Sequence, residues 1–237
     1  PFDKMPYCTS LLQHNPRLFD LFESIPVSNR EHELFARYIT NNTEIEGHLF
    51  TPKTEIKGFK DIDSLIQKYN ATLYYKHEGR RIEEFKNHIY VKSYADDCAI
   101  IIRKLQELAS SGISQYTPSV DSWMSNESYT IDDDSKKEAL RHMFSDSRVA
   151  LIYGAAGTGK STLIKHVSNF FADKDKIFLA NTHPAVVNMR RKVTTGNSSY
   201  YTIAKFLSKG NNNIDCDILF IDECSTVSNI DMQSILE

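Results

Sequence analysis

Two short stretches of the chain concentrate side chains that could handle a phosphorylated ligand. Gly154-Ala155-Ala156-Gly157-Thr158-Gly159-Lys160-Ser161 satisfies G-x-x-x-x-G-K-[ST] at every fixed position. Glycines at that spacing let the backbone curl until successive N–H groups point inward at phosphate oxygens. The helix expected to follow, opening at Thr162, would add the positive end of its dipole. The Lys160 ammonium would then reach the β and γ phosphates, and the Ser161 hydroxyl would ligate Mg²⁺. The second stretch, Ile218-Leu219-Phe220-Ile221-Asp222-Glu223, is an apolar run that ends in two carboxylates. Asp222 is placed to hold Mg²⁺, directly or through water, and Glu223 to orient or deprotonate an attacking water. The chemistry implied is Mg²⁺-dependent hydrolysis of a nucleoside triphosphate, with ATP the expected ligand.

Other acidic groups have simpler explanations. Glu83-Glu84 reads as part of a helix, Asp96-Asp97 as a helix start, and Asp132-Asp133-Asp134 as the carboxylates that favour a helix N-terminus. Glu55-Ile56-Lys57 resembles the E-x-K of nuclease sites but has no acidic partner in a strand context. Cys8, Cys98, Cys216 and Cys224 form no C-x-x-C pair, which argues against a zinc site or a disulfide framework and fits a cytoplasmic protein. No run approaches the length of a membrane span. The formal net charge of −3 gives no global basic field, so nucleic acid would have to be met by a local patch.

The elements that must position these residues follow from periodicity. Val149–Tyr153 reads as a buried strand feeding the glycine loop, Thr162–Phe171 as a helix, and Lys176–Ala180 as a second strand. Pro184–Arg191 reads as a helix entered through proline, and Ile218–Ile221 as a third strand. Asp134 or Ser135 can cap a helix running to Phe144. Near-continuous apolar strands alternating with helices imply an α/β fold, a parallel sheet with helices on both faces. Residues 131–237 are therefore expected to form one domain. Residues 113–130, rich in serine, read as a linker. Residues 1–112 read as a separate α+β region, with helical pieces at 18–22, 32–38, 62–66 and 95–110, the last stopped by Gly112. Its strand candidates are 71–75 and 89–92. Its aromatics Phe19, Phe22, Phe35, Tyr38, Tyr74 and Tyr75 read as core.

The loop has the G-x-A-G-T-G-K-[ST] form of superfamily 1 DNA helicases, which it resembles. Leu179-Ala180-Asn181-Thr182-His183-Pro184-Ala185 is similar to motif Ia of the Dda/RecD-like branch. Tyr201-Thr202-Ile203-Ala204-Lys205-Phe206-Leu207 resembles the segment that follows it, and Asp222-Glu223-Cys224-Ser225 that branch's motif II. The resemblance covers about residues 130 to 237 and implies a P-loop NTPase (RecA-like) first motor domain, here incomplete. It implies single-stranded DNA as partner, with Thr182, His183 and Thr202 at the strand's backbone and 5′-to-3′ movement. Arg190-Arg191-Lys192 could add phosphate attraction or simply favour the helix C-terminus. Lys136 stands where the family often carries a glutamine that reads adenine, and Ala204 where it has a histidine. The family pattern continues with a γ-phosphate sensor and a second motor domain carrying an arginine finger. The sequence is therefore expected to be part of a longer polypeptide that supplies them. Two other assignments fit the same residues, namely an ATPase component of a nuclease or defence complex and a nucleotide-gated binding module.

Overall fold

A computed structural model describes residues 19, 23, 26–126, 130–131, 133–155, 157–208 and 215–237. The chain divides into two compact units, Pro1–Ala99 and Ile100–Glu237. The expected helical piece at 18–22 lies almost wholly outside the described residues, and Phe22 with it; Phe19 is exposed.

In the first unit, helix α1 (Val27–Glu44) and helix α2 (Ile62–Thr72) pack with a three-stranded antiparallel sheet of β1 (Thr51–Pro52), β2 (Ile82–Phe85) and β3 (His88–Val91). The sheet order is β1-β3-β2. Phe35 and Ile39 of α1, Leu65 and Tyr69 of α2, and Ile82, Ile89 and Val91 of the sheet fill one core. Asn70 acts as a strand substitute: its amide donates to Ile82 O at 2.8 Å and its oxygen accepts from Ile82 N at 3.0 Å. Three expectations change here. Residues 71–75 form no strand; they close α2 and enter a 3₁₀ segment, Tyr75–Arg80. Glu83-Glu84 lies on β2 rather than a helix, because Lys86 and Asn87 adopt positive φ and fold the chain into a hairpin. Tyr74 and Tyr75 are 53% and 73% exposed instead of buried, whereas Phe35 is in the core.

Helix α3 (Lys92–Ala109) begins three residues before its expected start and spans the division between the units. It buries none of its side chains.

The second unit opens with a helix inside the stretch that reads as a linker. Tyr116 and Val120 of α4 (Tyr116–Met124) are one helical turn apart, and both pack on Leu140 of α5 (Asp134–His142) and Val167 of α6 (Lys160–Phe170). The Tyr116 hydroxyl donates to Leu140 O at 2.7 Å. Gly112 does more than stop a helix. A Cβ there would overlap the Ser145 carbonyl, and Ile113 N donates to Phe144 O at 2.8 Å.

At the centre lies a parallel sheet of order β5-β4-β6, built from β4 (Lys176–Ala180), β5 (Ser198–Thr202) and β6 (Ile218–Ile221). Phe178 pairs in register with Tyr200 on one side and Phe220 on the other, and the rings stack at 4.8 and 4.4 Å. That face is covered by Ile164 of α6 and by Val186 and Met189 of α7 (His183–Lys192). The opposite face, Ile177 and Leu179, meets Ile203 of α8 (Ile203–Ser208) and Ile235 of α9 (Asn229–Leu236). Every residue of β4 is thereby buried. Lys176, only 1% exposed, donates its ammonium to Phe171 O at 2.7 Å and Lys174 O at 2.6 Å beyond the end of α6. Burial pulls its pKa down, while Asp173, Asp175 and Asp217 push the other way.

The expected strand at Val149–Tyr153 does not form. Among the described residues β6 pairs only with β4, so this run has no ladder partner, and Leu151 and Tyr153 are 62% and 85% exposed. An apolar run alone cannot distinguish a buried strand from an exposed connection.

Two substitutions check this packing by thermal or urea unfolding. Phe178→Ala should cost about 3–5 kcal/mol by emptying the centre of the stack. Gly112→Ala should cost about 1–3 kcal/mol through the collision at Ser145; unchanged stability in either variant would contradict the described contacts.

Candidate nucleotide site

The glycine loop is shaped by backbone conformations that side chains resist. Gly157 and Gly159 have φ of +84° and +85°, and a Cβ on Gly154 would come 2.6 Å from Thr158 Oγ1. Thr158 Oγ1 donates to Ala155 O at 3.0 Å, which tightens the turn. Gly159 is the N-cap of α6, so Lys160, Ser161 and Thr162 occupy the helix's first turn, where N–H groups lack intrahelical partners. Lys160 folds back on the loop: its Nζ donates to Gly154 O at 2.6 Å and Ala155 O at 2.8 Å. Ala156 lies outside the described residues.

Lys136 is brought to the same loop from α5. Its Cε and Nζ would lie 2.8 and 3.2 Å from a Cβ on Gly159. Its ammonium donates to Asp133 Oδ2 at 2.5 Å. Asp133, not Asp134 or Ser135, caps α5, with Oδ1 accepting from Ser135 N at 2.9 Å and Lys136 N at 3.2 Å. The reason is geometric: Asp134 already has helical conformation, and its carboxylate turns outward to Lys137 at 2.8 Å.

The acidic pair sits at the carboxyl end of β6. Asp222 N donates to Leu179 O at 2.9 Å, extending the β4–β6 ladder by one residue. Glu223 follows with φ +49°, an exposed residue at the sharp turn into a 3₁₀ segment, Cys224–Thr226. Neighbouring β4 ends at Ala180 and releases Asn181, Thr182 and His183 beside it. The chain runs from β4 to β5 on one side and then to β6 on the other, so these ends flank the point where strand order reverses. Ligands of open α/β sheets gather at such points.

One contact here was not anticipated from sequence. Asn181 Nδ2 donates to Thr226 O at 2.7 Å and Thr226 Oγ1 at 3.0 Å, tying the segment after β4 to the segment after the acidic pair. Asn181 lies within Leu179–Ala185, but no spacing rule links it to Thr226. Thr182 caps α7 by accepting from Ala185 N at 3.3 Å, and His183 is exposed at the helix start. Thr202 is 8% exposed, and its hydroxyl accepts from Lys205 N at 3.2 Å, so its position is that of a helix cap. Arg190 lies over the Tyr200 ring at 5.2 Å, which places it against the sheet. Glu55 is exposed and enters no metal-ligating cluster; among the described residues no group of three or more His, Cys, Asp or Glu could hold a metal. No helix among the described residues is long and apolar enough to cross a membrane.

Residues 133–237 match the family model of the AAA domain. The match indicates a P-loop NTPase domain of AAA type in that segment, a class that generally binds ATP with Mg²⁺ and hydrolyses it. No curated protein matches the chain. The loop fits the ligand: its glycines occupy conformations and clearances that a Cβ would close, and an ammonium lies against it. A nucleotide would be held by the loop amides, Lys160, Ser161 and Thr162.

The cap on α5 gives a pH test. The Lys136 ammonium, followed by the amide of the same residue, holds the Asp133 carboxyl below its usual 3.8. A lowered carboxyl pKa contributes stability that is complete above the ordinary value and is lost as pH falls through the lowered one. Asp133→Asn retains a capping oxygen but removes the titration, so the acid limb of its stability curve should be shallower than wild type. Superimposable acid limbs would refute the Asp133–Lys136 assignment.

Proposed function

We propose that this chain carries the nucleotide-binding half of the motor of an ATP-dependent DNA helicase or translocase. In this reading the loop amides and Lys160 grip the triphosphate, and Ser161 and Asp222 hold Mg²⁺ together with phosphate oxygens. Bound there, the metal would neutralise charge on the transferring phosphoryl group. Glu223, exposed at the turn after Asp222, would orient and deprotonate the attacking water. The exposed end formed by Thr182 and His183 would lie along the backbone of single-stranded DNA, positioning it without reading sequence.

The observation that carries the reading is the Asn181–Thr226 bridge. A motor must pass strain between its nucleotide and its track. Here one amide joins the proposed track segment to the turn that follows the proposed catalytic acids. The similarity of Leu179–Ala185 and Asp222–Ser225 to helicase motifs supports these roles for the two segments. A second motor domain would supply the arginine finger, worth ~10³–10⁵ in rate, so turnover by residues 1–237 alone should be slow.

Equilibrium binding of a fluorescent ATP analogue with Mg²⁺ tests the site. Lys160→Ala removes charge-assisted bonds and should weaken binding by about tenfold to a hundredfold. Saturating oligo-dT should shift the nucleotide affinity of the wild-type chain several-fold, because coupling between two sites is reciprocal. Asn181→Ala should abolish that shift and leave nucleotide affinity without DNA intact. If oligo-dT leaves nucleotide affinity unchanged, the chain is an ATPase of another kind.

A further inference from the structure

The first unit carries a surface that its own fold does not use. From Tyr74 to Arg81 every residue is exposed. The Tyr74 and Tyr75 rings lie 4.4 Å apart at 57°, and the His77 ring meets Tyr74 edge-on at 5.7 Å. Within the same eight residues stand Lys76, Arg80 and Arg81, opposed by one carboxylate, Glu78. Lys76 lies near the Tyr75 ring, its Nζ 5.8 Å from the centroid. Three other cations of this unit are neutralised: Lys53 by Asp63 and Glu84, Lys92 by Asp96, Arg30 by Glu33. Among the described residues Lys76, Arg80 and Arg81 enter no ion pair.

Exposure here does not come from a loose tether. His77 N donates to Tyr74 O at 2.7 Å, Arg81 N to Glu78 O at 3.0 Å, and Lys92 N to Arg81 O at 2.9 Å. Asn70 clamps buried Ile82 on both its N–H and its C=O, so the segment is fixed at its exit as well as at the end of α2. Three rings and three cations outside any described ion pair are thus held outward by backbone bonds, at the cost of exposing aromatic surface to water.

We propose that Tyr74–Arg81 binds single-stranded nucleic acid, with Tyr74 and Tyr75 stacking on bases and Lys76, Arg80 and Arg81 meeting phosphates. Every base offers a π-face, so such a platform is sequence-tolerant, and cations beside it follow the backbone. A duplex hides its base faces and would use the cations alone. The surface lies outside the AAA domain, and nothing in it depends on the motor reading; it gives the first unit its own grip on nucleic acid.

Fluorescence anisotropy of labelled 20-nucleotide oligo-dT with the 237-residue chain, without nucleotide, tests the assignment. Tyr74→Ala/Tyr75→Ala should lose about tenfold or more in affinity, as expected when a stacked base loses its partner. Tyr74→Phe/Tyr75→Phe should keep it. Replacing Lys76, Arg80 and Arg81 by glutamine should weaken binding and flatten the plot of log affinity against log salt by about two units, near 0.7 for each phosphate contact. A blunt duplex should bind more weakly and ignore the tyrosine changes. The tyrosine and cation variants should keep wild-type affinity for the ATP analogue without DNA, so a failed nucleotide site and a failed platform give separate signals. Circular dichroism establishes that each variant is folded. Unchanged oligo-dT affinity in folded tyrosine and cation variants overturns the proposal, as does an acidic peptide displacing oligo-dT from wild type and losing its own binding only in the tyrosine variant.

Discussion

The second unit depends on the pairing of β4 between two parallel neighbours. Phe178 sits at the middle of that pairing, stacked on Tyr200 and Phe220, and each flanking position of the strand points to a helical layer. Parallel ladders are stable only when both faces are covered, and here α6 and α7 cover one and α8 and α9 the other. Register follows directly. With Phe178 fixed against Phe220, Leu179 lies opposite Ile221, and Asp222 and Asn181 must leave the sheet side by side. The acidic turn and the segment after β4 can be bridged by one amide because the ring stack has already aligned the strands beneath them.

The legible and illegible parts of the fold separate along physical lines. Lys176–Ala180 was readable because a continuous apolar run bounded by polar residues matches a strand buried on both faces. His183–Lys192 was readable, as Pro184–Arg191, because Pro184 is tolerated in a first turn. Ser198–Thr202 was not read as a strand, since its serines and tyrosines carry no apolar alternation and it is half-buried at the sheet edge. Val149–Tyr153 misled in the opposite sense, having a strand's composition but no partner for its backbone. Helix α4 was hidden in serine-rich sequence, where only Tyr116 and Val120 mark its buried face. Residue type places Tyr74 and Tyr75 in the core, yet the 3₁₀ segment they enter leaves both exposed.

The turn geometry of the glycine loop was legible at Gly154, Gly157 and Gly159, because its spacing encodes backbone curvature and needs no distant partner. The residues around it were less so. Lys136 reaches the loop through the folding of α5 against α6, and Asn181 reaches Thr226 through strand register, neither of which a local pattern contains. Functional spacing within one turn can be read from sequence; juxtaposition across elements is a product of the packing. Thr182 and Thr202 show the complementary case, since hydroxyls singled out for ligand contact also satisfy helix amides in the fold.

The posture of Lys160 has a consequence for how tightly any anion is held. Its ammonium already has two acceptors in Gly154 O and Ala155 O. An incoming phosphate therefore competes with an internal ligand, and observed affinity is the difference between the two grips. The charge stays parked on two of the loop's own carbonyl groups, ready to be exchanged, and an encounter too weak to displace it leaves it there.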